Sequence, residues 1–253
     1  FLGKNDRYED ADIVILPIPL DEGASWQRGC ALAPKRILEA SEQMEDYDFE
    51  TGFSYDDVKI HVAQSVERYG DIGRRVDGLR NDGKFVIALG GDHSISIPIL
   101  TSLPADITIV HFDAHLDMRR EYEGSNRSHA CALYEASKNH RVVHVGARSG
   151  SVEDLINAEK MGNLIRNDVL GIDGPVYITF DVDVLDLSLM PATGTPEPGG
   201  LTWADVNTKL SYLFRRASVV GMDIVEYMPL EGVKAYDYMM AKLVGRAIQW
   251  AVR

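Results

Sequence analysis

The sequence predicts an α/β protein, a single-domain three-layer α/β/α fold on a mostly parallel sheet spanning residues 1–253. Three observations carry this reading. Six short runs are apolar and β-branched rather than alternating, the pattern of strands covered on both faces. Stretches with apolar residues at helical spacing lie between several of them. No composition break, low-complexity tract or internal repeat divides the chain, and 253 residues suffice for one full core.

Taken in order, the first strand is Ile13 to Leu16. Pro34 to Met44 follows as a helix, its proline suited to a first turn. Asn81-Asp82-Gly83 turns the chain into the strand Phe85 to Leu89. Ile107 to His111 and Val142 to Val145 are the next strands, and Val152 to Met161 is a helix. Val176 to Phe180 is a strand, and the segment from Pro191 to Gly200 is too rich in Pro and Gly for either regular structure. It directly follows an acidic cluster and reads as an ordered site loop. Ala204 to Arg216 is helical and Val219 to Val225 extended. The last helix, Tyr236 to Ala251, places Met240, Leu243, Ala247 and Trp250 on one stripe.

The net charge is −13 with no basic run. That argues against a nucleic-acid partner and for cationic small molecules or bound cations. No apolar run approaches membrane-spanning length, so no membrane partner is expected. Two cysteines, Cys30 and Cys131, form no CxxC, which points to a reducing, cytoplasmic compartment. A chain opening on Phe1 leaves room for a removed leader.

Chemistry concentrates at three strand ends. His93 sits in Gly90-Gly91-Asp92-His93-Ser94. Asp113, His115 and Asp117 alternate after one strand, and Asp181 and Asp183 after another. Residues two apart in an extended chain share a face, so each cluster aims its side chains together. Ligands of open parallel sheets bind beyond the carboxyl ends of strands, where all three clusters lie. Alone, an aspartate after a strand is usually a helix cap or turn residue, and a lone buried histidine is more often hydrogen-bonded core. Together they leave that reading little room, because gathered carboxylates and imidazoles are costly without a cation. The oxygen-rich set leans to manganese or another six-coordinate divalent ion over structural zinc. A metal pair ~3.5–4 Å apart holds a bridging water and lowers its pKa towards neutrality. His129 lies in a polar loop and suits a proton shuttle. Glu226 ends a strand and offers a fork matching a planar guanidinium.

These motifs resemble the ureohydrolase family, which includes arginases and agmatinases. Gly90 to Ser94 matches its first signature, and Asp113-Ala114-His115-Leu116-Asp117 its second. Ile178 to Asp186, followed by Thr193 to Leu201, matches the third. Asp223-Ile224-Val225-Glu226 matches the guanidinium-binding segment, and Gly29 to Ala40 an N-terminal one. The resemblance implies an arginase-like fold and two Mn2+ per chain. One ion would be held by His93, Asp113, Asp117 and Asp181, the other by Asp113, His115, Asp181 and Asp183. Asp113 and Asp181 would bridge, and Asp117 would also hydrogen-bond the attacking hydroxide. His129 would relay a proton to the leaving amine, and Glu226 would bind the guanidinium. It further implies self-association as trimers or hexamers.

Within that family, Tyr122-Glu123-Gly124 and Ser128-His129 look more like agmatinases than arginases. Arginases carry Ser-Gly-Asn just before the histidine, where this chain has Asn126-Arg127-Ser128. Hydrolysis of agmatine to putrescine and urea, a step of polyamine biosynthesis, is therefore expected. The alternatives are arginase, guanidinobutyrase or formimidoylglutamase activity, the last two if Arg127 receives a carboxylate, or a non-catalytic polyamine-binding homologue. Departures such as Ala130, Cys131, Leu187 and Ala192 touch the pocket wall and remove no ligand.

Overall fold

A computed structural model describes residues 1–253. In chain order the elements are β1 (Ile13–Pro17), α1 (Ala33–Ser41), the hairpin strands β2 (Tyr47–Asp48) and β3 (Phe53–Ser54), β4 (Ile60–Val62), α2 (Ile72–Asn81), β5 (Phe85–Leu89), α3 (Ser96–Ser102), β6 (Thr108–Phe112), β7 (Val142–Val145), α4 (Val152–Lys160), β8 (Leu164–Arg166), β9 (Pro175–Asp181), α5 (Trp203–Arg216), β10 (Ser218–Val225) and α6 (Ala235–Ala251). The main sheet runs β4-β1-β5-β10-β9-β6-β7-β8, with every neighbouring pair parallel.

The strand pleat sorts alternate side chains to opposite cores. Ile87 and Leu89 of β5 join Ile37 of α1, Leu210 of α5 and Leu243 of α6 on one face. Val86 and Ala88 join Val76 of α2 and Ile99 of α3 on the other. Each such fully buried aliphatic side chain contributes about 1.5–3 kcal/mol relative to exposure. This two-sided burial is why the strands read as continuous apolar runs. The starts of α4 and α5 are set by reciprocal capping boxes, Ser151 with Asp154 and Thr202 with Asp205.

All six expected strands and all four expected helices form, with ends shifted by a few residues at most. Reading the sequence missed β4, β8 and the hairpin, whose two or three residues are too few for a periodic signal. It also missed α2, which buries only Ile72, Val76 and Leu79 among glycines and charges, and α3, whose seven residues span barely two turns. No helix is long and apolar enough to cross a membrane.

The four central strands, β5, β10, β9 and β6, deliver the candidate site at their carboxyl ends. The edge strands β4 and β8 carry none of its residues. The Pro191–Gly200 segment is an ordered loop, pinned to the Asp183 carbonyl by Arg148. The Arg148 guanidinium donates to the carbonyls of Asp183, Glu197 and Pro198 at 2.8, 2.7 and 2.9 Å.

Candidate metal centre and active site

Each cluster is aimed by a local backbone device. After β5 the chain bends through Gly90-Gly91. A Cβ on Gly91 would lie 1.9 Å from the Leu20 carbonyl oxygen, so only glycine fits. Asp92 holds the turn by accepting from the backbone N–H groups of Ser94 at 2.8 Å and Gly23 at 2.6 Å. His93 is thereby fully buried over the sheet.

The second cluster corrects the expectation of an extended chain. β6 ends at Phe112, and Asp113 to Asp117 form a loop rather than strand. The Asp113 carboxylate accepts from the His115 backbone N–H, closing a tight turn. Asp117 adopts φ 51°, a left-handed conformation unusual for a side chain with a Cβ. Asp181 likewise accepts from the Asp183 N–H at 2.8 Å, and a short turn over Val182–Val184 follows. Turns capped by the aspartates' own carboxylates, not strand alternation, bring these side chains together.

They converge around two imidazole nitrogens. His93 Nδ1 lies 3.1 Å from Asp113 Oδ2, 3.1 Å from Asp117 Oδ2 and 3.3 Å from Asp181 Oδ2. His115 Nδ1 lies 2.9 Å from Asp183 Oδ2 and 3.4 Å from Asp113 Oδ1. Asp113 therefore faces both groups, one oxygen to each. The tautomer of His93 follows from its other nitrogen. Thr179 Oγ1 gives its single proton to Asp223 at 2.6 Å, so it accepts from His93 Nε2–H at 2.9 Å. That leaves a lone pair on His93 Nδ1, which is buried with no hydrogen-bond partner amid three carboxylates. Asp183 Oδ2 is likewise buried and unpartnered.

A lone pair facing carboxylate oxygens is repulsive unless a cation sits among them. With protein groups alone, only protons on the imidazoles supply that charge. Burial opposes a charged His115, but Asp113 and Asp183 outweigh it and push the ring up to about 12. His93 is raised well above its ordinary value against its own burial by Asp113, Asp117 and Asp181. Burial, then the Asp183 and Asp113 carboxylates, push Asp181 well above the usual range. Burial and Asp113 also raise Asp183, to about 6. Imidazole and carboxylate donors of this kind fit a divalent cation that replaces those protons.

His129 and Glu226 meet beside this centre. His129 Nδ1 is 3.3 Å from Glu226 Oε1, and its Nε2 is 2.9 Å from Ser25 Oγ. Burial opposes a charged His129, but the Glu226 carboxylate raises it to about 9. Glu226 directly follows β10 at φ 63°, accepting from the His93 backbone N–H at 2.8 Å. It is 2 % exposed and lies beneath His129 rather than on the cleft wall. A cleft of about 280 Å³ opens over the centre, lined by His115, Asp117, His129 and Asp181 together with Arg119 and Tyr122.

Three side chains at the site were not singled out in the sequence. Arg119 stacks over the Tyr122 ring at 4.4 Å and reaches Asp154 at 3.4 Å. His111 Nε2 lies 2.7 Å from Asp113 Oδ2. Thr179 orients His93. The last two interrupt otherwise apolar strands, a signal that marks buried polar partners. Arg127, by contrast, is exposed over Tyr69 and does not line the cleft.

Residues 11–249 match the family model described as Arginase family. The N(1)-aminopropylagmatine ureohydrolase of Thermus thermophilus is 36% identical over 270 residues, covering 97% of this chain and 92% of that protein. The agmatinase of Pyrococcus horikoshii is 35% identical over 239 residues, covering 86% and 84%. The crystal structure of agmatine ureohydrolase of Thermoplasma volcanium superposes with a TM-score of 0.89 at 30% identity, over 98% of this chain and 92% of that one. With buried acid and imidazole clusters at the same four strand ends that the motifs mark, the chain belongs to the arginase family and is an amidinohydrolase of its ureohydrolase type.

Proposed function

We propose that this protein hydrolyses agmatine to putrescine and urea in the cytoplasm, using two Mn2+ per chain. His93, Asp113, Asp117 and Asp181 hold one ion, and Asp113, His115, Asp181 and Asp183 the other. The observation that carries this reading is His93 Nδ1, buried without a donor at 3.1–3.3 Å from three carboxylates. When bound, such a pair supplies a water acidic enough to attack at neutral pH.

The protein's own groups do the rest. Asp117, at the cleft floor, accepts a hydrogen bond from the attacking water and aims it at the guanidinium carbon. Glu226 forks onto the guanidinium as His129 yields its place there. As the carbon–nitrogen bond to the diamine breaks, His129 gives its proton to the leaving nitrogen. The acidic chain, at net charge −13, favours a dicationic substrate. Arg127 is exposed and lies outside the cleft lining, which supports a substrate without a carboxylate.

The name of the Thermus relative supports a second reading, the same reaction on an aminopropylated agmatine. The test is urea release after manganese reconstitution, from agmatine, N1-aminopropylagmatine, arginine and guanidinobutyrate, with formamide measured for formiminoglutamate. The highest kcat/KM is expected on one of the two polyamine substrates. No product from any of them would refute the proposal.

A further inference from the structure

Beneath the ligands, the sheet carries a second tier of buried polar side chains. His144 of β7 pairs in register with His111 of β6, His111 with Thr179 of β9, and Thr179 with Asp223 of β10. All four are fully buried, each flanked in its strand by apolar residues. Thr179 and Asp223 serve His93, as described above. His111 and His144 serve no group yet assigned.

Their hydrogen bonds run in one direction. A carboxylate only accepts, so His111 Nε2 donates its proton to Asp113 Oδ2 at 2.7 Å. In the neutral ring, His111 Nδ1 is then an acceptor. His144 Nδ1, at 2.8 Å, must donate to it. That leaves His144 Nε2 as an acceptor, and the Asn163 side-chain amide nitrogen faces it at 3.3 Å. The chain is Asn163 to His144 to His111 to Asp113, each group donating to the next. Burial, the largest influence, holds His144 well below its ordinary value, so its ring is neutral and has one proton to donate. The other Asp113 oxygen accepts from the His115 backbone N–H. Each oxygen of Asp113 thus has one fixed N–H donor, and each also faces one of the two imidazole groups.

We infer that His144 and His111 are positioning residues that fix the Asp113 carboxylate between the two metal subsites, through a buried hydrogen-bond relay started by Asn163. This rests on Asp113 being the shared ligand. It also assigns His111, whose two nitrogens are committed to Asp113 and His144, to the relay and not to the ligand set. Residues that orient ligands in this way typically change metal affinity by ~10–100-fold.

The test uses metal-stripped protein titrated with Mn2+ by calorimetry, with electron paramagnetic resonance of the loaded form. His144→Phe keeps the ring's bulk and removes both nitrogens. It is expected to weaken Mn2+ binding ~10–100-fold, replace part of the spin-coupled pair signal with that of isolated Mn2+, and lower kcat more than it raises KM. His144→Asn, which returns an N–H near the Nδ1 position, recovers most of the affinity. In a His111→Gln background, where the amide reaches Asp113 independently, adding His144→Phe changes little. Wild-type binding and spectrum in His144→Phe would overturn the inference. So would equal losses in the Phe and Asn variants, or a full loss in the His111→Gln background. If His144→Phe does not fold, judged by melting of the stripped protein, His111→Leu and His111→Gln carry the test. The relay requires that Leu lose affinity and Gln keep it. Failure of wild-type protein to bind a coupled pair would instead refute the ligand assignment itself.

Discussion

Glu226→Gln separates the substrate-binding role of this carboxylate from its structural one. The glutamine keeps an oxygen to accept the His93 N–H, now bonded at 2.8 Å, so the turn after β5 retains its anchor. What disappears is the charge, and with it the charge-assisted fork to a guanidinium. Such hydrogen bonds are worth about 1.5–3 kcal/mol each, against about 1 kcal/mol for a neutral one. Replacing two by one costs roughly 2–5 kcal/mol, or ~30- to 4000-fold in kcat/KM at 1.4 kcal/mol per tenfold. The fold loses little, because His129 can shed its proton once its partner is neutral. A change of about 1 kcal/mol moves Tm by only ~2–4 °C in a chain of this size.

The same substitution moves a pH limb. In the wild type, burial works against the charged His129, but Glu226 raises it to about 9. An imidazole raised above its ordinary ~6.5 keeps its proton through neutrality. Its stabilising ion pair is fully present below ~6.5 and is lost as pH rises through about 9. If His129 is the acid, wild-type kcat/KM falls above about 9. In Glu226→Gln only burial remains as the larger influence, so that limb moves to lower pH. Urea release followed from pH 6 to 10 reads both effects, with manganese content measured in parallel. A kcat/KM within threefold of wild type, with an unmoved limb, would refute the assignment. A rate lost only in proportion to manganese would make Glu226 a support for the metal centre instead.

Asp183→Asn should keep the 2.9 Å bond from the Ala114 N–H but turn an amide towards His115, leaving about one Mn2+ per chain by elemental analysis and a sharply reduced rate; two ions and full activity would remove Asp183 from the ligands. His129→Ala should lower kcat by ~10²–10⁴-fold with manganese content unchanged, and an unaffected rate would exclude it as the acid. Chelation should lower Tm reversibly. At a free Mn2+ concentration ~1000-fold above Kd the ion contributes about 4 kcal/mol, or roughly 8–16 °C by differential scanning calorimetry, and no shift would contradict a high-affinity native site.

The candidate ligands were legible because each closes an apolar strand run, where a cluster of acids and imidazoles has no cheap structural use. The mechanism of their convergence was not. Alternation in an extended chain predicts one shared face for Asp113, His115 and Asp117, yet β6 stops at Phe112 and the turn depends on φ 51° at Asp117. A left-handed aspartate leaves no mark in the sequence. The pairing of His129 with Glu226, 97 positions apart in the numbering, depends on where a loop lands against β10. The His144, His111, Thr179 and Asp223 tier was visible only as single polar residues inside strands. Its meaning needs the strand register, and register in a parallel sheet is set by crossovers with no turn chemistry to announce it. Arg148 reads as an ordinary surface charge until two carbonyls of the Pro- and Gly-rich loop and that of Asp183 are seen around it.

The site also concentrates the fold's local penalties. Of four non-glycine residues with positive φ, two are Asp117 and Glu226. Each such residue costs on the order of 1–3 kcal/mol unless the surroundings over-determine it. Here they do. The Asp117 carbonyl accepts from the Leu133 N–H at 3.0 Å, and the Glu226 N–H donates to the Gly91 carbonyl at 2.7 Å. Glycine at either position would relieve the strain and delete the carboxylate. Asparagine would keep the conformation without the charge. Neither is present, so what these positions need is charge held at a fixed point. The four central strands are flanked on each side by a further strand that is itself paired on both sides, and they carry cores on both faces, so their ends are rigid enough to hold strained, mutually repelling groups in place. A binding site tolerant of loose geometry has no such requirement, and loops at the sheet edges would serve it. Placement of every candidate ligand on central strand ends therefore favours chemistry that depends on fixed distances between charges over simple capture of a cationic ligand.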